Sequence, residues 1–353
     1  MDDRHNLNTD CVLRSWPHDR PMPTVIIIGA GLSGLTCARV LDEAGWSVTI
    51  LDKGRGPGGR LATRRIGTAS FDTGAQFFSV RDPGLAAVVQ QWESAGVVAR
   101  WCDGFPVLGG THAGDGHLRY RVNGGMNRLA KHLTGGLELR DQLTVTGLTL
   151  DRGRWQVTGD TVAGNQVFTA DAVVLTAPGP QAVQLLQRNG LPVDPRLAAV
   201  RYAPCLCLLF DFPTATGPLL PEPGGLRIEE DGAVTWIASQ RRKGLRETGE
   251  GLVVHTAAAW CASRYERTDD EILAELRPAV EAVLQRIGIT AVASSIQLKK
   301  WRYSLPTVLV DEPCLRVAAG APLIIAGDSC GGKPRVEGAW LSGQAAAGAL
   351  LTR

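Results

Sequence analysis

The chain has 353 residues, long enough for one large domain or two interlocked ones, and 44% of them are hydrophobic, which argues against a fibrous or disordered chain. Its 37 Lys and Arg residues against 35 Asp and Glu give a net charge of +2, without a run of one sign that would attract nucleic acid or an anionic membrane. Eight irregularly spaced cysteines form no zinc or disulfide pattern. We therefore expect a cytoplasmic protein without metal, nucleic acid or membrane partners.

The predicted elements begin after a polar extension, residues 1–21, that we expect to be disordered. A β-branched apolar run over 24–28 predicts a buried parallel strand. Apolar residues at helical spacing from Leu32 predict a helix that Gly45 ends, and 47–51 resumes a strand. These elements form a complete βαβ unit.

The middle of the chain alternates between short strands and turns. Runs at 143–149, 154–158 and 166–169 predict a β-meander, which returns to the main sheet through a strand over 171–176. Further strands are predicted near 205–210, 233–238, 252–258 and 294–303. Thr268 and Glu271 form a capping box that opens one long helix between the last two of these strands. Near the C-terminus, a strand over 323–326 precedes a small-residue helix over 338–351.

Three glycines form a GxGxxG pattern directly after the first strand. Gly29 permits the tight turn, Gly31 lets the backbone approach a pyrophosphate, and Gly34 allows close packing of the helix on the strand. Asp52 ends the second strand, where an acid can accept hydrogen bonds from ribose hydroxyls. The pattern predicts a dinucleotide site, the alternative being a glycine turn with a purely structural role.

Further segments favour a flavin dinucleotide. The Gly-rich stretch 53–60 and the segment 71–78 follow the βαβ unit, and 326–330 with 335–343 lie near the C-terminus. In this order they resemble the flavin-containing amine oxidase superfamily. The resemblance implies FAD, with Asp328 at sugar or ribityl hydroxyls and a helix N-terminus facing the flavin.

Within that superfamily the chain most resembles renalases, particularly the bacterial ones, over most of 22–353. The resemblance rests on segments 72–82, 125–126, 236–243, 255–260, 301–303 and 335–343. One departure is Lys299-Lys300, where bacterial renalases tend to have His-Arg. The cysteine motif that carries covalent flavin in monoamine oxidases is missing, which implies non-covalent FAD.

The resemblance implies an FAD-dependent oxidase. It would transfer a hydride from 2- or 6-dihydro isomers of NAD(P)H to flavin N5 and then to O2, giving NAD(P)+ and hydrogen peroxide. Loss of hydride makes the ring aromatic without removal of a proton, so no general base is needed. No catalytic residue is therefore obligatory beyond the flavin. The alternatives are a flavin-dependent amine oxidase and a non-catalytic FAD-binding protein. A monomer or weak dimer is expected.

Two sets of site residues are predicted. Cofactor-binding residues are Gly29, Gly31, Leu32, Ser33, Gly34, Asp52, Lys53, Gly59, Arg60, Gln76, Val145, Asp328, Val336, Glu337, Gly338 and Ala339. Substrate-pocket candidates are Gln76, Phe77, Trp236, Arg241, His255, Trp260, Trp301 and Tyr303. The aromatic residues and His255 can equally be core. Arg241, Arg242 and Lys243 can meet substrate phosphates or form a solvated turn.

The predicted fold class is α/β. A Rossmann-type FAD-binding domain, with a central parallel sheet and the β-meander, is expected from 22–80, 119–178 and 319–353. A smaller α+β substrate domain, built on an antiparallel sheet, is expected from 81–118 and 179–318. The active site is expected at their junction.

Overall fold

The computed structural model describes residues 22–67, 69–110 and 116–352, so the extension predicted to be disordered, residues 1–21, lies outside the described residues. The strands are β1 (Thr24–Ile28), β2 (Ser47–Leu51), β3 (Thr63–Ile66), β4 (Ala69–Asp72), β5 (Val98–Cys102), β6 (Arg119–Val122), β7 (Glu138–Arg140), β8 (Thr144–Asp151), β9 (Arg154–Thr161), β10 (Gly164–Ala170), β11 (Ala172–Leu175), β12 (Arg201–Phe212), β13 (Gly225–Arg227), β14 (Val234–Ser239), β15 (Glu250–Thr256), β16 (Ser295–Val308), β17 (Leu315–Arg316) and β18 (Leu323–Ile325). The helices are α1 (Leu32–Glu43), α2 (Pro83–Ser94), α3 (Asn127–Thr134), α4 (Gly179–Arg188), α5 (Pro195–Ala199), α6 (Ala258–Ala262), α7 (Asp269–Arg286) and α8 (Val336–Leu351).

A mainly parallel sheet organises one part of the molecule. Its strand order is β17-β18-β11-β1-β2-β7, and only the β17–β18 pair is antiparallel. The chain leaves β1 through α1 to β2 on one side, whereas β11 lies on the other side of β1. A crevice therefore opens at the carboxyl end of β1, the usual ligand site of such sheets. The predicted βαβ unit and the Rossmann-type α/β fold are confirmed.

The predicted β-meander is confirmed as a separate antiparallel sheet, in the order β10-β9-β8. It packs on the parallel sheet through a shared apolar cluster that includes Leu148, Trp155 and Val173. Trp155 is fully buried, and its Nε1 donates a hydrogen bond to the Pro322 carbonyl, 2.9 Å away. The indole thereby satisfies its polar atom while filling the space between the two sheets.

A second antiparallel sheet, in the order β13-β14-β15-β12-β16, forms the other large part. One face packs against α7, whose Ile272, Leu276 and Val280 are buried. The predicted capping box opens α7: Thr268 N donates to Glu271 Oε2 (2.9 Å), and Glu271 N donates to Thr268 Oγ1 (3.3 Å). β12 and β16 pair along one long ladder, so both strands extend beyond their predicted ends.

The other face of this second sheet turns toward the carboxyl end of the parallel sheet, and a large cavity lies between them. The predicted division of the chain into two domains stays a prediction. No helix of the described ranges has the length and apolar character needed to span a membrane.

Candidate active site

The cavity between the two sheets has a volume of about 1710 Å³. A pocket for one drug-sized ligand is usually about 300 to 1,000 Å³, so this cavity has room for a dinucleotide together with a second molecule. The parallel sheet contributes its Gly-rich turn at one end, and the second sheet contributes aromatic and cationic side chains at the other.

The turn after β1 has the geometry that a dinucleotide needs. Gly29 has a φ of 112°, which side chains with a Cβ rarely adopt. A Cβ on Gly31 would meet no described atom within 4 Å, so the cavity reaches the backbone there. A Cβ on Gly34 would lie 2.0 Å from the Gly29 carbonyl oxygen. Gly34 therefore serves the packing of α1, as its position in the motif predicts, and it does not line the cavity.

Asp52 follows β2 and holds the turn from the other side. Its Oδ2 accepts a hydrogen bond from Ala30 N, and its Oδ1 accepts one from Gly54 N, both at 2.6 Å. Carboxylate oxygens have further lone pairs, so Asp52 retains acceptor capacity toward the cavity. Lys53 also lines the cavity, where its Nζ donates to Gln181 Oε1 at 3.3 Å.

Arg60 and Asp328 join the two separated sequence motifs. The guanidinium is bidentate, and its Nη2 donates to Asp328 Oδ1 at 2.7 Å. Arg60 also lies over the Tyr202 ring, 5.5 Å from the centroid, and the Tyr202 hydroxyl donates to Asp328 Oδ1 at 3.3 Å. Burial, followed by the charge of Asp328, raises the pKa of Tyr202 to about 12. Tyr202 therefore stays a neutral donor, a role that the sequence did not indicate.

The N-terminus of α8 lines the same cavity. Arg335 precedes the helix with a φ of 95°, whereas Val336, Glu337 and Ala339 form its lining first turn. A Cβ on Gly338 would lie 1.4 Å from the Lys333 carbonyl oxygen, so this predicted cofactor residue allows backbone packing and does not line the cavity. Glu337 Oε1 accepts hydrogen bonds from the backbone N–H groups of residues 81 and 82, which ties α8 to the start of α2.

Five residues on the cavity-facing side of the second sheet pair directly across its strands. In order they are Arg227, Trp236, His255, Cys207 and Lys299, one from each of β13, β14, β15, β12 and β16. We call them the cross-strand row. Directly paired residues project from the same face of a sheet, and all except the buried Cys207 line the cavity. Arg227 and Lys299 are the two ends of the row, and Trp236, His255 and Cys207 lie between them.

Aromatic rings surround Trp236. Its ring centroid lies 5.7 Å from that of Phe77 and 4.7 Å from that of Phe105, and Trp236 is 8% exposed. Phe77 and Trp236 belong to a packed apolar cluster and also line the cavity, so each residue packs in the core and faces the cavity. Trp301 lines the cavity as well, and its Nε1 donates to the Thr73 carbonyl at 2.8 Å.

Three further residues predicted for the substrate pocket lie in different places. Tyr303 lines the cavity and packs against Tyr202, with ring centroids 5.6 Å apart. Trp260 does not line the cavity, because it packs on the other face of the sheet beneath the Arg264 guanidinium, 4.4 Å from its ring centroid. Arg241 does not line the cavity either, since its Nη1 donates to the Gly249 carbonyl at 3.2 Å.

His255 lines the cavity as an uncharged group. Burial, followed by the nearby charge of Lys243, lowers its pKa to about 4, although a hydrogen bond to the Thr73 carbonyl acts in the opposite direction. At neutral pH the imidazole is therefore not protonated. The Thr73 carbonyl, which accepts the hydrogen bond from Trp301 Nε1, also lies near His255.

Lys243 fits neither of the two roles considered from the sequence, because it is fully buried and does not line the cavity. Its Nζ pairs with Asp72 Oδ2 at 2.6 Å and donates to Gln76 Oε1 at 3.3 Å. Burial lowers the pKa of Lys243, and Asp72 counteracts that effect. The Gln76 Nε2 donates to the backbone carbonyls of Asp72 and Gly74. Gln76 thus lines the cavity with an amide already held by the protein.

Few features of the sequence indicate the Lys243–Asp72 pair. The two residues are 171 positions apart, and Lys243 follows two arginines in a turn that reads as solvated. Its neighbour Arg242 is near the surface and pairs with Glu222. The one signal in the sequence was a charged residue, Asp72, within a segment of otherwise apolar and small residues.

Two family models match the chain. The model of NAD(P)-binding Rossmann-like domains covers residues 27–92, and the model described as flavin containing amine oxidoreductase covers residues 109–351. The second match alone includes more than half of the chain. The chain belongs to the flavin-containing amine oxidoreductase family.

Members of known identity match over shorter stretches. FLOWERING LOCUS D of Arabidopsis thaliana is 29% identical over 167 residues, which is 44% of this chain and 20% of that protein. The L-amino-acid oxidase of Daboia russelii is 51% identical over 41 residues, 12% of this chain and 8% of that protein. The chain thus spans a small part of the curated relatives it matches.

Solved structures show the same fold over almost the whole chain. A protein described as a protoporphyrinogen oxidase from Exiguobacterium sp. 255-15 superposes with a TM-score of 0.71 at 15% identity, covering 94% of this chain and 100% of that one. A putrescine oxidase bound to putrescine superposes with a TM-score of 0.67 at 15% identity, with the same coverage. At this identity the likeness establishes the fold.

A flavin-containing amine oxidoreductase uses FAD, and the residues present fit that cofactor. The open space at Gly31, the acceptors of Asp52 and Asp328, and the N-terminus of α8 lie along one continuous cavity. Leu32, Ser33, Gly59 and Val145 complete the predicted lining there. The described residues include no cluster of His, Cys, Asp or Glu able to hold a metal ion.

Proposed function

We propose that this flavin-dependent oxidoreductase is a renalase-like oxidase of 2- or 6-dihydro isomers of NAD(P)H, with non-covalent FAD. The balanced reaction is dihydronicotinamide + O2 + H+ → NAD(P)+ + H2O2. FAD held by the Gly-rich turn, Asp52, Asp328 and the N-terminus of α8 would supply the hydride acceptance and the electron transfer to O2. The observation that carries the proposal is the cross-strand row, with aromatic rings between cations.

The row and the aromatic rings beside it suit a flat neutral ring attached to an anionic tail. Phe77, Trp236 and Trp301 offer surfaces on which a ring of this size can pack. Lys299, at one end of the row, is placed for the negative charges of a dinucleotide, whereas Arg227, at the other end, pairs with Glu229.

The protonation state of the site supports the same chemistry. The pKa of His255 lies far below neutrality, so the imidazole brings no positive charge against a ring that becomes cationic when it loses hydride. Oxidation of a dihydropyridine removes no proton from carbon or nitrogen, so the residues at this end need only position the ring and exclude water.

A flavin-dependent amine oxidase is the second candidate, favoured by the matches to an L-amino-acid oxidase and a putrescine oxidase. An amine substrate binds as a cation or must lose a proton in the site. The Lys299 ammonium, which is partly buried and faces the cavity, disfavours such a substrate, because like charges repel more strongly at a partly buried site than in bulk water.

Oxygen consumption by the purified protein distinguishes the two candidates. Partially reduced NAD that contains the 2- and 6-dihydro isomers is expected to drive O2 uptake, with equal amounts of NAD+ and hydrogen peroxide formed. Pure 4-dihydro NADH is the matched control and should react far more slowly. O2 uptake with putrescine or L-amino acids, and none with the isomers, would replace this proposal by the amine oxidase. Release of FAD on acid precipitation checks the non-covalent attachment.

A further inference from the structure

Lys299 occupies one end of the cross-strand row and faces the cavity. It pairs with Cys207 on β12, and Cys207 in turn pairs with His255 on β15. The Lys299 charge counteracts the effect of burial, which raises the pKa of the Cys207 thiol, so the ammonium lies near this inner face of the sheet. Lys299 is only partly exposed.

The Lys299 ammonium differs from the neighbouring cations in having no carboxylate partner among the described residues. Lys300 Nζ lies 3.2 Å from Asp269 Oδ1, Arg302 pairs with Glu266, and Arg227 pairs with Glu229. Lys299 Nζ instead lies 4.9 Å from the centroid of the Trp301 ring. A partly buried cation that only a ring face balances is well placed to accept an anion.

The position of Lys299 along β16 indicates which part of a substrate would reach it. Near residue 304 this strand meets Arg60, whose Nη1 donates to the Ser304 carbonyl at 3.3 Å. Residue 299 lies five positions back along the strand, beyond Trp301, on the side away from the Arg60–Asp328 pair. A ring that packs beside Trp301 would therefore place its substituent, rather than the ring itself, at Lys299.

We infer that Lys299 binds the diphosphate of the dinucleotide substrate and thereby selects dinucleotides over bare dihydropyridines. The inference rests on the proposed function, which it extends to the recognition of the substrate tail.

Calorimetric titration of the holoenzyme with NAD+ tests the inference through binding alone. Lys299→Met keeps the length of the side chain and removes its charge, and we expect NAD+ to bind about tenfold more weakly or worse. Lys299→Arg should restore most of the affinity. Arg277→Met is the control for net charge, because Arg277 is exposed on α7 and pairs there with Glu281. Its NAD+ affinity should equal that of the unmodified protein.

Steady-state rates give the second readout. Lys299→Met should raise KM for the dihydro isomers of NAD about tenfold, with little change in kcat. For 1-methyl-dihydronicotinamide isomers, which have no phosphate, kcat/KM should stay the same. Equal NAD+ affinity in Lys299→Met and the unmodified protein would overturn the inference even if the isomers are oxidised. NAD+ binding that depends on Lys299, without oxidation of the isomers, would support the inference and overturn the proposed function.

The unmodified protein provides a test that does not depend on any variant. If Lys299→Met fails to retain FAD, the titration of unmodified holoenzyme is repeated with NAD+ and ADP-ribose at increasing salt. A diphosphate held by a partly exposed cation should bind more weakly as salt screens the charges. Affinities that do not change with salt, or no binding of either ligand, would overturn the inference.

Discussion

Replacing Lys243 with Met should destabilise the protein strongly, because it leaves a buried carboxylate without its cation. The side chains of Lys243 and Asp72 are 1% and 0% exposed, and Nζ lies 2.6 Å from Oδ2. Removing one partner of such a pair typically costs about 3 to 5 kcal/mol. Asp72 Oδ1 still accepts hydrogen bonds from Thr63 Oγ1 (2.6 Å) and Met126 N (2.8 Å). We therefore expect the lower end, about 3 kcal/mol.

Urea unfolding followed by tryptophan fluorescence, at a fixed excess of FAD, measures this loss. Asp72→Asn and the double variant complete a cycle in which the coupling energy should be about 2 kcal/mol or more. Arg277→Met, which breaks an exposed ion pair, should cost less than about 1 kcal/mol. A free energy of unfolding for Lys243→Met within about 1 kcal/mol of the unmodified protein would refute the reasoning, since no buried charge would then have lost its partner.

Other predictions concern pH and the Gly-rich turn. The pKa of His255 is lowered from 6.5 to about 4, so the unfolded chain takes up the proton first as pH falls. Stability present above pH 6.5 should be lost between about pH 6.5 and 4, by up to about 3 kcal/mol. Urea unfolding at pH 7.5 and 5 should show this loss in the unmodified protein and a smaller one in His255→Gln, and equal losses would contradict it. Gly31→Ala should leave the stability of the apoprotein within about 0.5 kcal/mol but weaken FAD binding about tenfold or more, because its Cβ enters the cavity. Gly34→Ala, in contrast, should lower the stability of the apoprotein, because the new Cβ would lie 2.0 Å from Gly29 O. Equal thermal midpoints for the Gly31→Ala and Gly34→Ala apoproteins would contradict this prediction.

The elements with a local signature were predictable from the sequence. The GxGxxG turn, the acid after β2, the capping box of α7 and the β-meander each depend on residues close together in the chain. Three separated motifs carried the resemblance to the flavin-containing amine oxidase superfamily, and that resemblance implied FAD. The glycines, acids and helix N-terminus of these motifs by themselves indicated a dinucleotide site.

The cross-strand row was less predictable, because its residues are far apart in the sequence and meet only through the pairing of separate strands. Trp236, His255 and Lys299 come together only through the register of separate strands. Trp260 and Trp236 were predicted on the same ground, a large aromatic side chain, but Trp260 lies on α6, beyond the opposite face of the sheet. The sequence also could not distinguish Arg241, tied to Gly249, from a substrate-binding arginine. Lys243 was a candidate surface charge in the sequence, but in the structure it is buried and pairs with Asp72.

The anaerobic visible spectrum of the purified holoprotein tests the central claim most directly. Addition of the 2- and 6-dihydro isomers of NAD, in the absence of oxygen, should rapidly bleach the flavin band, and air should restore it with release of hydrogen peroxide. Bleaching by these isomers but not by putrescine or L-amino acids is the predicted result. A flavin band that the isomers leave unchanged while an amine bleaches it would contradict the proposed substrate.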